Sequence, residues 1–69
     1  MKRYIVTADY YNWVGGITDR YYWVITEESK IHRFIQRIIQ EADDDAEIAE
    51  VCTHVYELDN EVTDKFIND

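Results

Sequence analysis

The chain has two glycines, and they are neighbours, Gly15 and Gly16; there is no proline. This is therefore the one place where the backbone has easy access to positive φ. Period-two segments flank it on both sides. In residues 2–11, Tyr4, Val6, Ala8 and Tyr10 alternate with Arg3, Ile5, Thr7, Asp9 and Tyr11. In residues 17–26, Tyr21, Trp23 and Ile25 alternate with Arg20, Tyr22, Val24 and Thr26. Two such segments around a turn at residues 12–16 predict a β-hairpin. Aromatic side chains occupy both of its faces. The hairpin must sit between two layers or leave one face uncovered.

Downstream, Ile31, Phe34, Ile35, Ile38, Ile39 and Ala42 recur at the spacing of an amphipathic helix. Lys30, Arg33, Gln36, Arg37 and Gln40 form its outer face. Thr26 or Ser29 is expected to cap the start, with Glu27 and Glu28 opposing the positive end of the helix dipole. Residues 47–58 satisfy two periods. Ile48, Val51, Cys52, Val55 and Leu58 fit a helix, whereas Ala49, Val51, Thr53 and Val55 fit a strand. The succession Cys52, Thr53, His54, Val55 and Tyr56 is poor helix material, which decides for a strand. A hairpin by itself is marginal in water, so a third strand also makes a better core. In residues 60–68, Val62, Phe66 and Ile67 are spaced for a short final helix.

The predicted fold is a single α+β domain over residues 1–69, arranged ββαβ(α). Its three-stranded antiparallel or mixed sheet has order 2-1-3, with the third strand parallel to the second and the amphipathic helix on one face. The opposite face is then left for the C-terminal segment, a second copy or a partner. Seven of the ten aromatics fall in residues 1–23, more than one helix can cover. A domain of this length rarely builds a deep core from itself alone.

Composition narrows the setting. The single cysteine, Cys52, excludes an internal disulfide framework and has no zinc-type grouping. The opening residues have no apolar core of a signal peptide. No apolar run approaches the ~20 residues that span a bilayer. The expectation is a soluble cytoplasmic protein that does not engage membranes.

The net charge is −8, unevenly placed. Residues 1–40 sum to +2, and residues 41–69, with eleven acidic groups and Lys65 alone opposing them, sum to −10. Such asymmetry points to an interaction surface or tail.

No catalytic constellation accompanies the acid. Cys52 and His54 lie two apart on the predicted strand, about 7 Å between Cα atoms, which could serve nucleophilic chemistry. The simpler reading is a packed thiol beside a strand histidine. Nucleotide, hydrolase and metalloprotease motifs are absent, and the chain is expected not to be an enzyme. Glu41, Asp43, Asp44, Asp45 and Glu47 could attract a hard cation, but the alternation, central glycine and closing glutamate of a calcium loop are missing. Neither metal nor cofactor is expected. The basic helix face and aromatic hairpin raise nucleic-acid binding, yet a field of net −8 opposes phosphates, so no direct nucleic-acid contact is expected.

What remains is the acidic half. Net charge can serve solubility alone. The sharper reading is a surface whose carboxylates imitate the phosphates of a nucleic acid and occupy the groove of a basic nucleic-acid-binding protein or complex. The candidate partner-binding residues are Glu41, Asp43, Asp44, Asp45, Glu47, Glu50, Glu57, Asp59, Glu61 and Asp64, with Tyr11, Trp13 and Tyr22 as aromatic anchors.

In size, acidity and single-domain simplicity the chain resembles small phage-encoded anti-defence proteins. These are the anti-CRISPR and anti-restriction inhibitors, several of which are DNA mimics. The resemblance is carried by composition across residues 41–69: the acidic run 41–50 and the acidic tail 57–69. It implies stoichiometric, non-catalytic inhibition of a nuclease-type complex in the host cytoplasm. Lys30, Arg33 and Arg37 depart from a uniformly acidic mimic, which leaves open whether one face imitates DNA or none does. The alternative expectation is a homodimer or larger homo-oligomeric accessory domain held by an aromatic sheet face.

Overall fold

The computed structural model describes residues 2–67. Strand β1 (Tyr4–Tyr11) and strand β2 (Ile17–Ile25) form the hairpin. At its turn Gly15 adopts φ +86°. Asn12 closes the loop: its side-chain oxygen accepts from the amides of Val14 at 3.1 Å and Gly16 at 2.9 Å. One 3-10 turn (Glu28–Lys30) leads directly into helix α1 (Ile31–Asp43). Strand β3 (Glu50–Glu57), a two-residue strand β4 (Asn60–Glu61) and a short helix α2 (Asp64–Ile67) complete the chain.

Among the described residues the sheet has four strands in the order β2-β1-β3-β4, and every neighbouring pair is antiparallel. The fold is thus α+β, with the predicted 2-1-3 order extended by one short edge strand. β3 lies antiparallel to β1 and so parallel to β2, as expected. The 47–58 segment is a strand, beginning at Glu50.

Register sorts the side chains onto two faces. Tyr4 pairs with Ile25 and Glu57, Val6 with Trp23 and Val55, and Ala8 with Tyr21 and Thr53. These positions face α1. Tyr4, Val6, Ala8 and Val55 are buried there against Ile31, Ile35 and Ile38, with Phe66 of α2 closing one end. The Tyr4 and Phe66 rings meet edge to face at 5.6 Å. Four apolar helix positions are buried, and Phe34 and Ile39 flank them, so the whole predicted stripe faces the core.

Two local expectations are corrected. Neither Thr26 nor Ser29 caps the helix: no side chain bonds the orphan amides of either helical segment. Ser29 lies inside the 3-10 turn, whose residues are all exposed, so water can satisfy the first amides. The tail is also more than a helix. Its first residues form β4, whose inner end is fixed by Thr63. The Thr63 hydroxyl accepts from the Val55 amide at 3.0 Å and donates to Glu61 Oε2 at 2.9 Å. Residue 68 of the predicted tail helix lies outside the described residues.

The β3–β4 connection stores strain. Leu58 has φ +55° and is 83% exposed. A left-handed backbone costs a branched side chain about 1–2 kcal/mol, whereas asparagine tolerates it. With little burial to lose, Leu58→Asn is expected to raise stability by roughly 0.5–1 kcal/mol in urea unfolding.

Candidate functional site

The described molecule is elongated, 39 × 21 × 18 Å. The carboxylates of the acidic half divide between the ends of its sheet. Glu50 sits opposite Tyr11, and Glu57 sits opposite Tyr4, seven residues along the same strand. At about 3.3 Å per residue, that separation is roughly 23 Å.

At the β3 C-terminal end, four carboxylates have basic partners. Lys2 approaches Glu57 at 3.8 Å, Lys65 approaches Glu28 at 3.5 Å, and Lys30 approaches Glu27 at 3.2 Å. His54 Nδ1 lies 3.3 Å from Glu61 Oε2. Glu61 titrates below the usual carboxylate range, because it accepts from Thr63 and from His54. Asp59 and Asp64 are exposed on this side of the molecule and make no ion pair among the described residues.

Towards the other end Asp9 pairs with Arg20 at 3.1 Å, but the acids of residues 41–50 have no basic partner among the described residues. Glu41, Asp43, Asp44, Asp45, Glu47 and Glu50 are all exposed, and none makes an ion pair among the described residues. Their backbone is nevertheless fixed. The Trp13 indole N–H donates to the Ala46 carbonyl at 2.8 Å, and the Ala49 amide donates to the Tyr11 carbonyl at 2.8 Å. Asp45 Oδ1 accepts from the Glu47 amide at 2.9 Å. The hairpin turn thus holds the acidic connection between α1 and β3 in one shape. Tyr11 and Trp13, read from the sequence as anchors, are brought to this tip. Tyr22 is not; it stands 74% exposed on the sheet face away from the helix.

The tip also contains a hollow of about 250 Å³, lined by Tyr10, Asp19, Tyr21, Glu41, Ala42, Asp45 and Ile48. Two tyrosine rings, edge to face at 5.8 Å, form its apolar side. Three carboxylates from β2, α1 and the following loop ring it. Burial, then Glu41, Tyr21 and Asp19, push the Tyr10 hydroxyl above its ordinary pKa. The hollow therefore favours positive charge and offers aromatic surface beside it, the two features that attract a guanidinium or ammonium group. Tyr10, Asp19 and Tyr21 were not singled out from the sequence. The signal was the hairpin register, which places Asp19 opposite Tyr10.

The sheet face opposite α1 is open. It carries Ile5, Thr7, Asp9 and Tyr11 from β1, Arg20, Tyr22 and Val24 from β2, and Cys52, His54 and Tyr56 from β3. The C-terminal segment does not cover it within the described residues, because α2 packs beside α1. There His32 Nδ1 donates to the Phe66 carbonyl at 2.6 Å. Cys52 and His54 share this face as predicted. Burial, with Glu50 and Asp9 nearby, pushes the Cys52 thiol above its ordinary pKa, which opposes thiolate chemistry. No group of three side chains able to hold a metal occurs among the described residues. No helix of the described residues is long and apolar enough to cross a membrane.

Compared with known protein families, curated proteins and solved structures, the chain finds no match.

Proposed function

We propose that this is a non-enzymatic protein-binding inhibitor whose acidic tip occupies the basic groove of a nucleic-acid-binding protein. The target class is a nuclease-type complex, and the setting is that of a phage anti-defence protein in the host cytoplasm. The observation that carries the reading is the contrast between the two ends. Among the described residues, Glu57 and Glu61 at the far end are tied to Lys2 and His54, whereas the carboxylates of residues 41–50 make no ion pair, and two of them, Glu41 and Asp45, ring with Asp19 a hollow suited to a basic side chain. Complementary potential would steer such a tip to its partner and set the register of docking. Glu57, Asp59, Glu61 and Asp64 lie outside this contact and serve the fold and solubility of the other end.

The test is capture of binding proteins from bacterial lysate at low and high salt. A basic nucleic-acid-binding protein is expected, released as salt shortens the screening length from about 30 Å at 0.01 M to about 3 Å at 1 M. It should be lost with Asp43→Asn, Asp44→Asn, Asp45→Asn, Glu47→Gln and Glu50→Gln combined. It should be kept when Glu27, Glu28 and Glu57 become glutamine. Capture indifferent to salt, or surviving the first variant, overturns the reading.

The open sheet face supports a second reading, a homodimer. Ile5, Tyr22 and Val24 form an exposed apolar strip across two neighbouring strands. Sedimentation at micromolar concentration decides it. A dimer dispersed by Tyr22→Glu with Val24→Glu is the supporting result, and a monomer is the opposing one.

A further inference from the structure

We propose that the outer edge of β2 and the flank of α1 form a docking groove for an extended acidic segment of a partner protein. β2 is the terminal strand of the sheet, so among the described residues one side of its nine-residue backbone has no strand beside it. Such an edge is a template for another chain, and natural sheets usually blunt it with proline, bulges or cover. β2 has no proline, and its one register irregularity, at residues 17–19, leaves the stretch Tyr21, Tyr22, Trp23 and Val24 regular.

Beside this edge lies a groove of about 440 Å³. Trp23, Val24, Ile25 and Phe34 supply its apolar walls, and Lys30, Arg33 and Arg37 its rim. The Trp23 and Phe34 rings pack edge to face at 5.0 Å, which fixes the floor. Lys30 is tied to Glu27, but Arg33 and Arg37 have no carboxylate within ion-pair distance among the described residues. In a chain of net charge −8, two adjacent helix turns thus present unmatched guanidiniums to one groove.

Charge selects the occupant. Pairing of β2 with β2 of a second copy about a two-fold axis would bring both Arg33 and Arg37 rows to the same side of the joined sheet, like against like. The chain's own acidic connection is held at the other end of α1 by Trp13 and Tyr11, and is not extended. A nucleic acid would meet the field of the whole molecule and has no backbone donors and acceptors in strand register. An acidic strand satisfies all three features. Its amides and carbonyls continue the β2 ladder. Glutamate stems on the helix side lie over Trp23 and Phe34 while their carboxylates reach Arg33 and Arg37. Apolar side chains on the other side extend the strip formed by Tyr22 and Val24. The groove is distinct from the acidic tip, so the proposal stands or falls separately from the inhibitor reading.

The test uses a blocked ten-residue peptide of alternating glutamate and valine, the counterpart with lysine for glutamate, and a single-stranded ten-nucleotide DNA. Calorimetry and amide chemical shifts read the binding. The glutamate peptide is expected to bind, with shifts confined to residues 17–25 and 30–37. Arg33→Glu with Arg37→Glu, both exposed positions, should weaken it by roughly tenfold or more and admit the lysine peptide. Circular dichroism confirms that the variant is folded. The proposal is overturned by no binding at about 1 mM peptide, by shifts centred on β3, β4 or the tip, by tighter binding of the DNA, or by a dimer joined through β2.

Discussion

Ile35→Ala should lower the unfolding free energy by about 2–5 kcal/mol, the loss expected from emptying a fully buried isoleucine site. Ile35 is fully buried, on the middle of the α1 face that meets Val6 and Val55. A chain of 69 residues at roughly 0.05–0.15 kcal/mol per residue holds only ~3–10 kcal/mol in total. The substitution therefore removes a large part of what holds the domain folded. For a domain of this size each kcal/mol moves Tm by roughly 4–8 °C, so a fall above ~10 °C is expected in a calorimetric scan. Arg37→Ala, two residues on and exposed, should change stability by only about 0.5 kcal/mol. A cost under ~1 kcal/mol for Ile35→Ala would mean that α1 does not rest on the sheet as described.

That contrast between Ile35 and Arg37 was legible before any coordinates, because apolar spacing alone separates the two faces of the helix. The hairpin was equally legible, since Gly15 supplies the positive φ that its turn needs. β4 was hidden for the complementary reason. Its turn puts Leu58 into the left-handed region, and leucine gives no such signal. The helix start misled differently: Thr26 and Ser29 are good cap residues by type, but a 3-10 turn occupies the place where either would act. For the site, the linear charge count treated residues 41–69 as one block. β3 runs through the middle of that block and carries its two parts to opposite ends of the sheet. In the far part, Glu57 is matched by Lys2 from the start of the chain, so no local window contains that pair. Asp19 joins the tip only through the hairpin register, from the half of the chain whose net charge is positive.

The acidic tip makes a prediction in which stability and binding move in opposite directions. Glu41 and Asp43 lie in the last turn of α1, and Asp44 is its C-cap residue. The helix dipole is negative there, so each acidic group is unfavourable by about 0.3–1 kcal/mol, and the last turn contains no basic residue to offset it. Asp45, Glu47 and Glu50 add repulsion among unpaired charges. Replacing Asp43, Asp44 and Asp45 by asparagine and Glu47 and Glu50 by glutamine should therefore raise stability by roughly 1–2 kcal/mol, and Tm by roughly 5–10 °C. Asparagine keeps the oxygen with which residue 45 accepts the Glu47 amide, so the loop retains its turn. Part of the same gain should appear in the unaltered protein as salt is raised, because screening weakens repulsion between exposed charges. If the tip is the binding surface, the stabilised variant loses its partner. Stability given up at a functional surface is a recurring trade. Were the carboxylates only a solubility coat, the variant would gain stability and keep every partner, and a gain in Tm with unchanged capture would refute the inhibitor reading. A variant that instead loses stability would show that the carboxylates are held by contacts other than those described, and the argument from unpaired charge would fail with it.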